Sequence, residues 1–110
     1  MSTTPHEVIV VFITAPGREE AGQLADMLVS KQLAACVQIM PAMESVYRWQ
    51  GKIERQKEVL LIAKTIKSRF DELESNVRAL HSYETPEIVA IPLIAGSRRY
   101  LEWLNASVAE

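Results

Sequence analysis

The chain has 110 residues, 48% of them hydrophobic and 24% charged, with a formal net charge of -2 at pH 7. This is the balance of one globular domain over 1–110; it excludes a disordered or fibrous chain and leaves no basic footprint for nucleic acid or an anionic membrane. One cysteine excludes an intramolecular disulfide, no apolar stretch is long enough to cross a bilayer, and Met1 to His6 lacks the basic segment of a secretory leader. The expectation is a cytoplasmic domain with residues 1–6 flexible, for which subunit association is the most accessible extra source of burial.

Val8-Ile9-Val10-Val11-Phe12-Ile13 is an unbroken β-branched and aromatic run, predicting a strand covered on both faces, and Thr14-Ala15-Pro16-Gly17 turns the chain after it. Ala21, Leu24, Ala25, Leu28 and Val29 then follow helical spacing, with Glu19 and Glu20 in the first turn and Lys31 near the end, which suits the helix dipole. Leu33 to Ile39 reads as a second strand, broken near Pro41 and resuming over Glu44 to Gln50, where Ser45, Tyr47 and Trp49 share one face and Val46 and Arg48 the other. Gln50-Gly51-Lys52 predicts a hairpin turn, and the returning strand runs from polar Glu54-Arg55-Gln56-Lys57-Glu58 to apolar Val59-Leu60-Leu61-Ile62-Ala63. A long hairpin with a projecting polar tip fits this pattern.

Ser68 is the predicted N-cap of a second helix, with Asp71 three positions on and Phe70, Leu73, Val77 and Leu80 forming the apolar stripe. The loop His81 to Glu87 leads to a strand at Ile88-Val89-Ala90-Ile91, and Pro92 predicts that this strand lies at an edge or bulge. Gly96 is a break, and Tyr100, Leu101, Leu104 and Val108 close the chain as a short helix containing Trp103. The order β-α-β-β-α-β plus a helix predicts an α+β, ferredoxin-like sandwich. Two helices cover one sheet face. The apolar runs require cover on the other face too, and subunits packing sheet to sheet would provide it.

Among chemistry-bearing residues, Cys36 in its apolar strand reads as a small buried hydrophobe or as a metal or redox thiol. His81, just past a helix end, reads as a cap of carbonyl groups or as a metal ligand. Tyr47 and Trp49, with Tyr83 nearby, suit a protein interface or a ligand-stacking pocket, and Glu84 and Glu87 are solvated charges or cation ligands. Lys64 should be paired or reach toward a cleft, while Lys52, Glu54, Arg55, Lys57 and Glu58 read as a solvated surface or edge protection. The sequence has no Cys-x-x-Cys, Gly-rich phosphate loop, His-Glu-x-x-His or nucleophile elbow. Lys64 with Glu84 is the one acid–base pairing on offer and no nucleophile accompanies it, so the expectation is a non-enzyme.

The segments Lys31-Gln32-Leu33-Ala34-Ala35-Cys36-Val37 and Ser45-Val46-Tyr47-Arg48-Trp49-Gln50-Gly51-Lys52-Ile53-Glu54 resemble the CutA divalent-cation tolerance family. So do Leu61-Ile62-Ala63-Lys64-Thr65, the loop His81 to Ile88, and Tyr100-Leu101-Glu102-Trp103-Leu104, in the family's order from about Val8 to Ala106. The resemblance implies a PII-like homotrimer binding a divalent metal ion such as Cu2+ through His81, Cys36 and Glu84; the charge balance already argues against a nucleic-acid or membrane partner. It implies inter-subunit clefts lined by Tyr47, Trp49, Lys64, Tyr83 and Glu87, which a PII-like regulator would offer to a small ligand or protein partner. Ile13 and Leu80 stand where the family's copper-binding descriptions have a cysteine and the first of two histidines, leaving His81 as the imidazole.

Overall fold

The computed structural model describes residues 7–109. His6 and the segment 1–6, expected to be flexible, lie outside the described residues. The elements follow the predicted order: β1 (Val8–Ala15), α1 (Arg18–Ser30), β2 (Cys36–Trp49), β3 (Lys52–Ile66), a 3-10 turn (Lys67–Arg69), α2 (Phe70–Leu80), β4 (Ile88–Pro92) and α3 (Arg98–Val108). The four strands form one sheet in the order β2-β3-β1-β4, and every neighbouring pair is antiparallel. Pro92 lies on the edge strand β4, where a missing N–H breaks no outer ladder.

Period-two alternation sorts the central strands onto two apolar faces. Ile9, Val11, Ile13 and Ala15 of β1 join Val59, Leu61 and Ala63 of β3 on one face, packed against Leu24 and Leu28 of α1 and Leu73 and Val77 of α2. Each large side chain buried there contributes roughly 1.5–3 kcal/mol by leaving water. On the opposite face Val8 and Ile66 pack against Leu104 and Val108 of α3, which covers only one end. The rest of that face carries half-buried Val10, Phe12, Leu60 and Ile62, with Met40, Val89 and Ile91 about half exposed at its edges. The two-sided burial expected of the central strands is therefore met on one face and partly met on the other.

β2 and β3 extend beyond this core as the predicted hairpin, and the chain measures 55 × 25 × 22 Å along its principal axes. The strands reverse at Gln50 (φ 51) and Gly51 (φ 80), between the paired residues Trp49 and Lys52. Two left-handed residues in a two-residue loop match the twist of the flanking strands, so this glycine is required by its φ.

Three local expectations are corrected. The second strand begins at Cys36, because Leu33 and Ala34 turn back to donate to the carbonyl of Leu28 after Gln32 adopts a left-handed φ of 58. Pro41 does not break β2: the strand absorbs it in a bulge between Met40 and Met43, with Ala42 at φ 66, on an edge where proline costs no partner. Ser68 is not an N-cap. The Lys67 N–H still extends the β1–β3 ladder to the carbonyl of Glu7, so Ser68 falls inside the 3-10 turn and α2 starts at Phe70. Asp71 and Glu72 then complement the helix dipole directly.

Thr65 is fully buried in β3 and its hydroxyl has no hydrogen-bond partner among the described residues. A buried, unpaired hydroxyl carries its desolvation cost with nothing in return. Thr65→Val, which keeps the shape and removes the hydroxyl, is expected to raise stability by about 1 kcal/mol, measured as a higher urea midpoint at unchanged slope.

Candidate functional site

At the base of the hairpin the strand register puts Ser45 opposite Gln56 and Tyr47 opposite Glu54, so Ser45, Tyr47, Gln56 and Glu58 share one face. The loop after α2 closes over that face and brings Tyr83, Glu84 and Glu87 to it. Between hairpin and loop lies a cleft of about 640 Å³, floored by Thr14 and Glu58 and walled by Val46, Tyr47 and Trp49. A cleft of that size suits a small molecule.

Its polar groups form one chain. The Tyr47 hydroxyl donates to Gln56 Oε1 at 2.8 Å, Gln56 Nε2 donates to the Tyr83 hydroxyl at 3.0 Å, and Tyr83 donates to Glu58 Oε2 at 2.9 Å. Ser45 donates to the other carboxylate oxygen at 2.5 Å. Glu58 is only 8% exposed and has no cationic partner among the described residues. The reading of Glu58 as a solvated hairpin charge is thus corrected: it lies where the polar tip of β3 meets its apolar base, and its side chain turns inward with Leu60.

His81 holds the loop from behind. Its imidazole is buried, with Nε2 2.7 Å from the Thr14 carbonyl and Nδ1 accepting the Tyr83 N–H at 3.0 Å. An acceptor at Nδ1 puts the proton on Nε2, which donates to Thr14. The ring also stacks at a tilt on Tyr83, with centroids 4.8 Å apart. Glu20 of α1 lies 3.3 Å from Nδ1 and accepts from the Ser82 N–H and hydroxyl at 3.0 and 3.1 Å. Both ring nitrogens of His81 are spent on positioning Tyr83. The helix-end cap is the backbone bond from His81 N–H to Val77.

Cys36 and Lys64 lie elsewhere. They pair across β2 and β3 at the end covered by α3, where Cys36 Sγ is 3.5 Å from the Tyr100 hydroxyl. Lys64 Nζ donates to Gln38 at 2.9 Å and sits 5.8 Å from the Tyr100 ring centroid, so it is both paired and held over an aromatic face. Lys64 opposes Val10, whereas Thr14 borders the cleft four residues further along β1, a separation of about 13 Å. Tyr47, Trp49, Tyr83, Glu84 and Glu87 therefore come together in one chain, while Lys64 and Cys36 do not join them. Among the described residues no group of three or more His, Cys, Asp or Glu is placed to hold a metal ion. Ile13 points into the fully buried helix-side core.

Sequence reasoning missed Glu58, Gln56 and Thr14. The available signal was period two: Gln56 and Glu58 alternate onto the face of Leu60, opposite the strand carrying Ser45 and Tyr47.

Burial, followed by the hydrogen bond to Glu58, pushes the Tyr83 phenol up from 10.0 to about 12. Below pH 10 the phenol is protonated in folded and unfolded chains alike, and its stabilising contribution is fully present. As pH rises toward about 12 the unfolded chain releases the proton and the folded chain retains it, so that stability is lost across this window. Tyr100, raised to about 12 by its hydrogen bond with Cys36 and by burial, adds a loss in the same direction. The urea midpoint is expected to fall less steeply from pH 10 to 12 in Tyr83→Phe, and an unchanged slope would remove this role.

The chain matches the family described as CutA1 divalent ion tolerance protein over residues 9–107. The divalent-cation tolerance protein CutA of Thermus thermophilus is 50% identical over 96 residues, covering 87% of this chain and 93% of that protein. The chloroplastic CutA proteins of Arabidopsis thaliana and Oryza sativa are 48% and 47% identical over 90% and 93% of this chain, which spans 54% and 58% of their lengths. Among solved structures, CutA1 from Oryza sativa superposes with a TM-score of 0.95 at 45% identity, covering 98% of this chain and 99% of that one. The Thermus thermophilus Cut A1 structure gives 0.91 at 46% identity, over 93% and 99%. With a match along nearly all of its described length, the chain belongs to the CutA1 divalent ion tolerance family.

Proposed function

We propose that this chain is a divalent-cation tolerance protein that works as a PII-like homotrimer of ferredoxin-like subunits and binds divalent metal ions such as copper. Family membership supports the function, and the Thermus thermophilus and Pectobacterium atrosepticum relatives are both named divalent-cation tolerance proteins. The observation that carries the assembly is the second sheet face: Val10, Phe12, Leu60, Ile62, Val89 and Ile91 form an apolar surface that α3 leaves uncovered. Three copies packing these faces would bury it, as the strand patterning requires.

Metal binding then draws on Cys36, whose thiol has only the Tyr100 hydroxyl at 3.5 Å beside it, and on the cleft carboxylates. His81 is engaged at both nitrogens, so Cys36 and Glu84, with Glu87 beside the latter, are the ligands this reading retains, completed by another copy. A mixed thiolate and carboxylate set suits copper through sulfur, whereas the carboxylates alone suit harder ions. The relatives are described in different compartments, chloroplastic in Arabidopsis thaliana and periplasmic in the Archaeoglobus fulgidus structure. No helix among the described residues is long and apolar enough to cross a membrane, and cytoplasmic residence is the reading proposed for this chain.

A second reading, a PII-like protein binding a small ligand or protein partner, is favoured by the cleft itself. A space of about 640 Å³ walled by Tyr47 and Trp49 is far larger than a bare ion needs.

Light scattering is expected to report three chains per particle, and Ile91→Lys, at an already half-exposed position, should yield folded monomers. A wild-type monomer would overturn the assembly. Calorimetry with Cu2+ is expected to show binding that weakens by about tenfold in Cys36→Ala or Glu84→Gln. Equal binding in wild type and both variants would remove these ligands.

A further inference from the structure

The open face of the sheet carries a charge at each end of its apolar strip. Along β3 the side chains on that face run Glu58, Leu60, Ile62, Lys64, with Thr14, Phe12 and Val10 of β1 opposite the last three. Glu58 accepts from Ser45 and Tyr83, and Lys64 donates to Gln38 and lies over the Tyr100 ring. Neither has an ion-pair partner among the described residues. Six residues along one strand separate them, about 20 Å, so they cannot meet within a chain. α3 leaves the strip between them uncovered, and in the assembly proposed above a second copy covers it. That copy takes the remaining water from both ends of the strip, and a charge removed from water is stable only when paired and hydrogen-bonded.

We propose that Lys64 of one copy pairs with Glu58 of the next, so that the floor of each cleft is completed by a neighbour's ammonium group. The proposal rests on the homotrimer reading and fixes its register. Strips laid like end on like end would press Glu58 against Glu58 and Lys64 against Lys64, and like charges brought together out of water are strongly unfavourable. Laid head to tail, each end meets its opposite, with Val10, Phe12, Leu60 and Ile62 between them to exclude water. Such a contact joins two different patches, the heterologous kind that closes into a ring when the rotation between copies closes. In a ring of three, every Lys64 reaches one Glu58 and no charge is left over. Lys52, the other cation on this face of β3, lies at the hairpin tip opposite Trp49, away from the apolar strip. The Lys64 ammonium is a point charge on a flexible stem with three donors, of which Gln38 takes one, and the Glu58 carboxylate keeps lone pairs beyond its two hydroxyls. The pair contributes register more than affinity, because the cost of taking both ions out of water offsets most of their attraction.

The test is a double-mutant cycle on the full chain, read as the dissociation constant of the assembly by analytical ultracentrifugation. Glu58→Gln keeps an acceptor for Ser45 and Tyr83, and Lys64→Met keeps most of the apolar stem. Each single substitution leaves one buried charge unpaired and is expected to weaken assembly by about a hundredfold. The double substitution removes both charges and is expected to assemble no worse than either single one. Sites about 20 Å apart in one chain act additively, so this coupling reports a contact between copies. If the two effects instead multiply in the double variant, or if both single variants assemble like wild type, the pairing is overturned while the trimer stands. A wild-type monomer overturns both. Should Glu58→Gln not fold, carbodiimide coupling of the wild-type protein carries the test, since it joins an amine only to a carboxylate in contact with it. A Glu58–Lys64 amide between two chains, found by mass spectrometry of a digest, is the expected product. A digest in which Lys64 is joined only to other carboxylates, or to none, overturns the pairing.

Discussion

The structure depends on the pairing of β1 with β3, two central strands that are apolar on both faces. Their register, Val8 with Ile66 through Ala15 with Val59, alternates side chains strictly between two sides, so each side must find its own cover. α1 and α2 supply it on one side and build the continuous core there. α3 closes only the end around Val8 and Ile66. One chain of this length runs out of helix before it runs out of apolar sheet, and the remaining surface is the physical basis of the proposed assembly.

The same pairing positions the cleft. Because the β2–β3 hairpin outruns the core, β3 passes from a buried ladder to a solvated ribbon, and Glu58 and Gln56 lie at that transition. A carboxylate there is buried by its neighbours and accepts hydroxyls from two elements, Ser45 on β2 and Tyr83 on the loop. Such a chain of hydrogen bonds polarises along its length and holds Tyr47 and Tyr83 in fixed relation. The cleft is rigid on one wall because of the sheet and on the other because His81 and Glu20 tie the loop to β1 and α1.

His81 shows why a residue type in a suggestive position does not decide its role. In the sequence it is the one imidazole of a resembling metal motif. In the fold it bridges Thr14, sixty-seven positions away, and the Tyr83 backbone, and it acts as a positioning residue. Cys36 and Lys64 illustrate the converse. Within one chain the strand register carries both to the α3 end, where Cys36 meets the Tyr100 hydroxyl and Lys64 donates to Gln38.

The sequence by itself determined the element order, the projecting hairpin, the restriction of Pro92 to an edge or bulge and the face shared by Ser45, Tyr47 and Trp49. These follow from local rules: alternation with period two, helical spacing, and the φ preferences of glycine and proline. It also held the need for cover on both sheet faces, because continuous apolar runs express that need wherever the partner comes from. Only the tertiary structure decided that Glu58 is buried, that His81 is spent at both nitrogens, and that Cys36 and Lys64 stand apart from the cleft. Those outcomes depend on which strands pair, in which register, and on where a loop lands. Such contacts join residues far apart in the chain, and no local pattern encodes them.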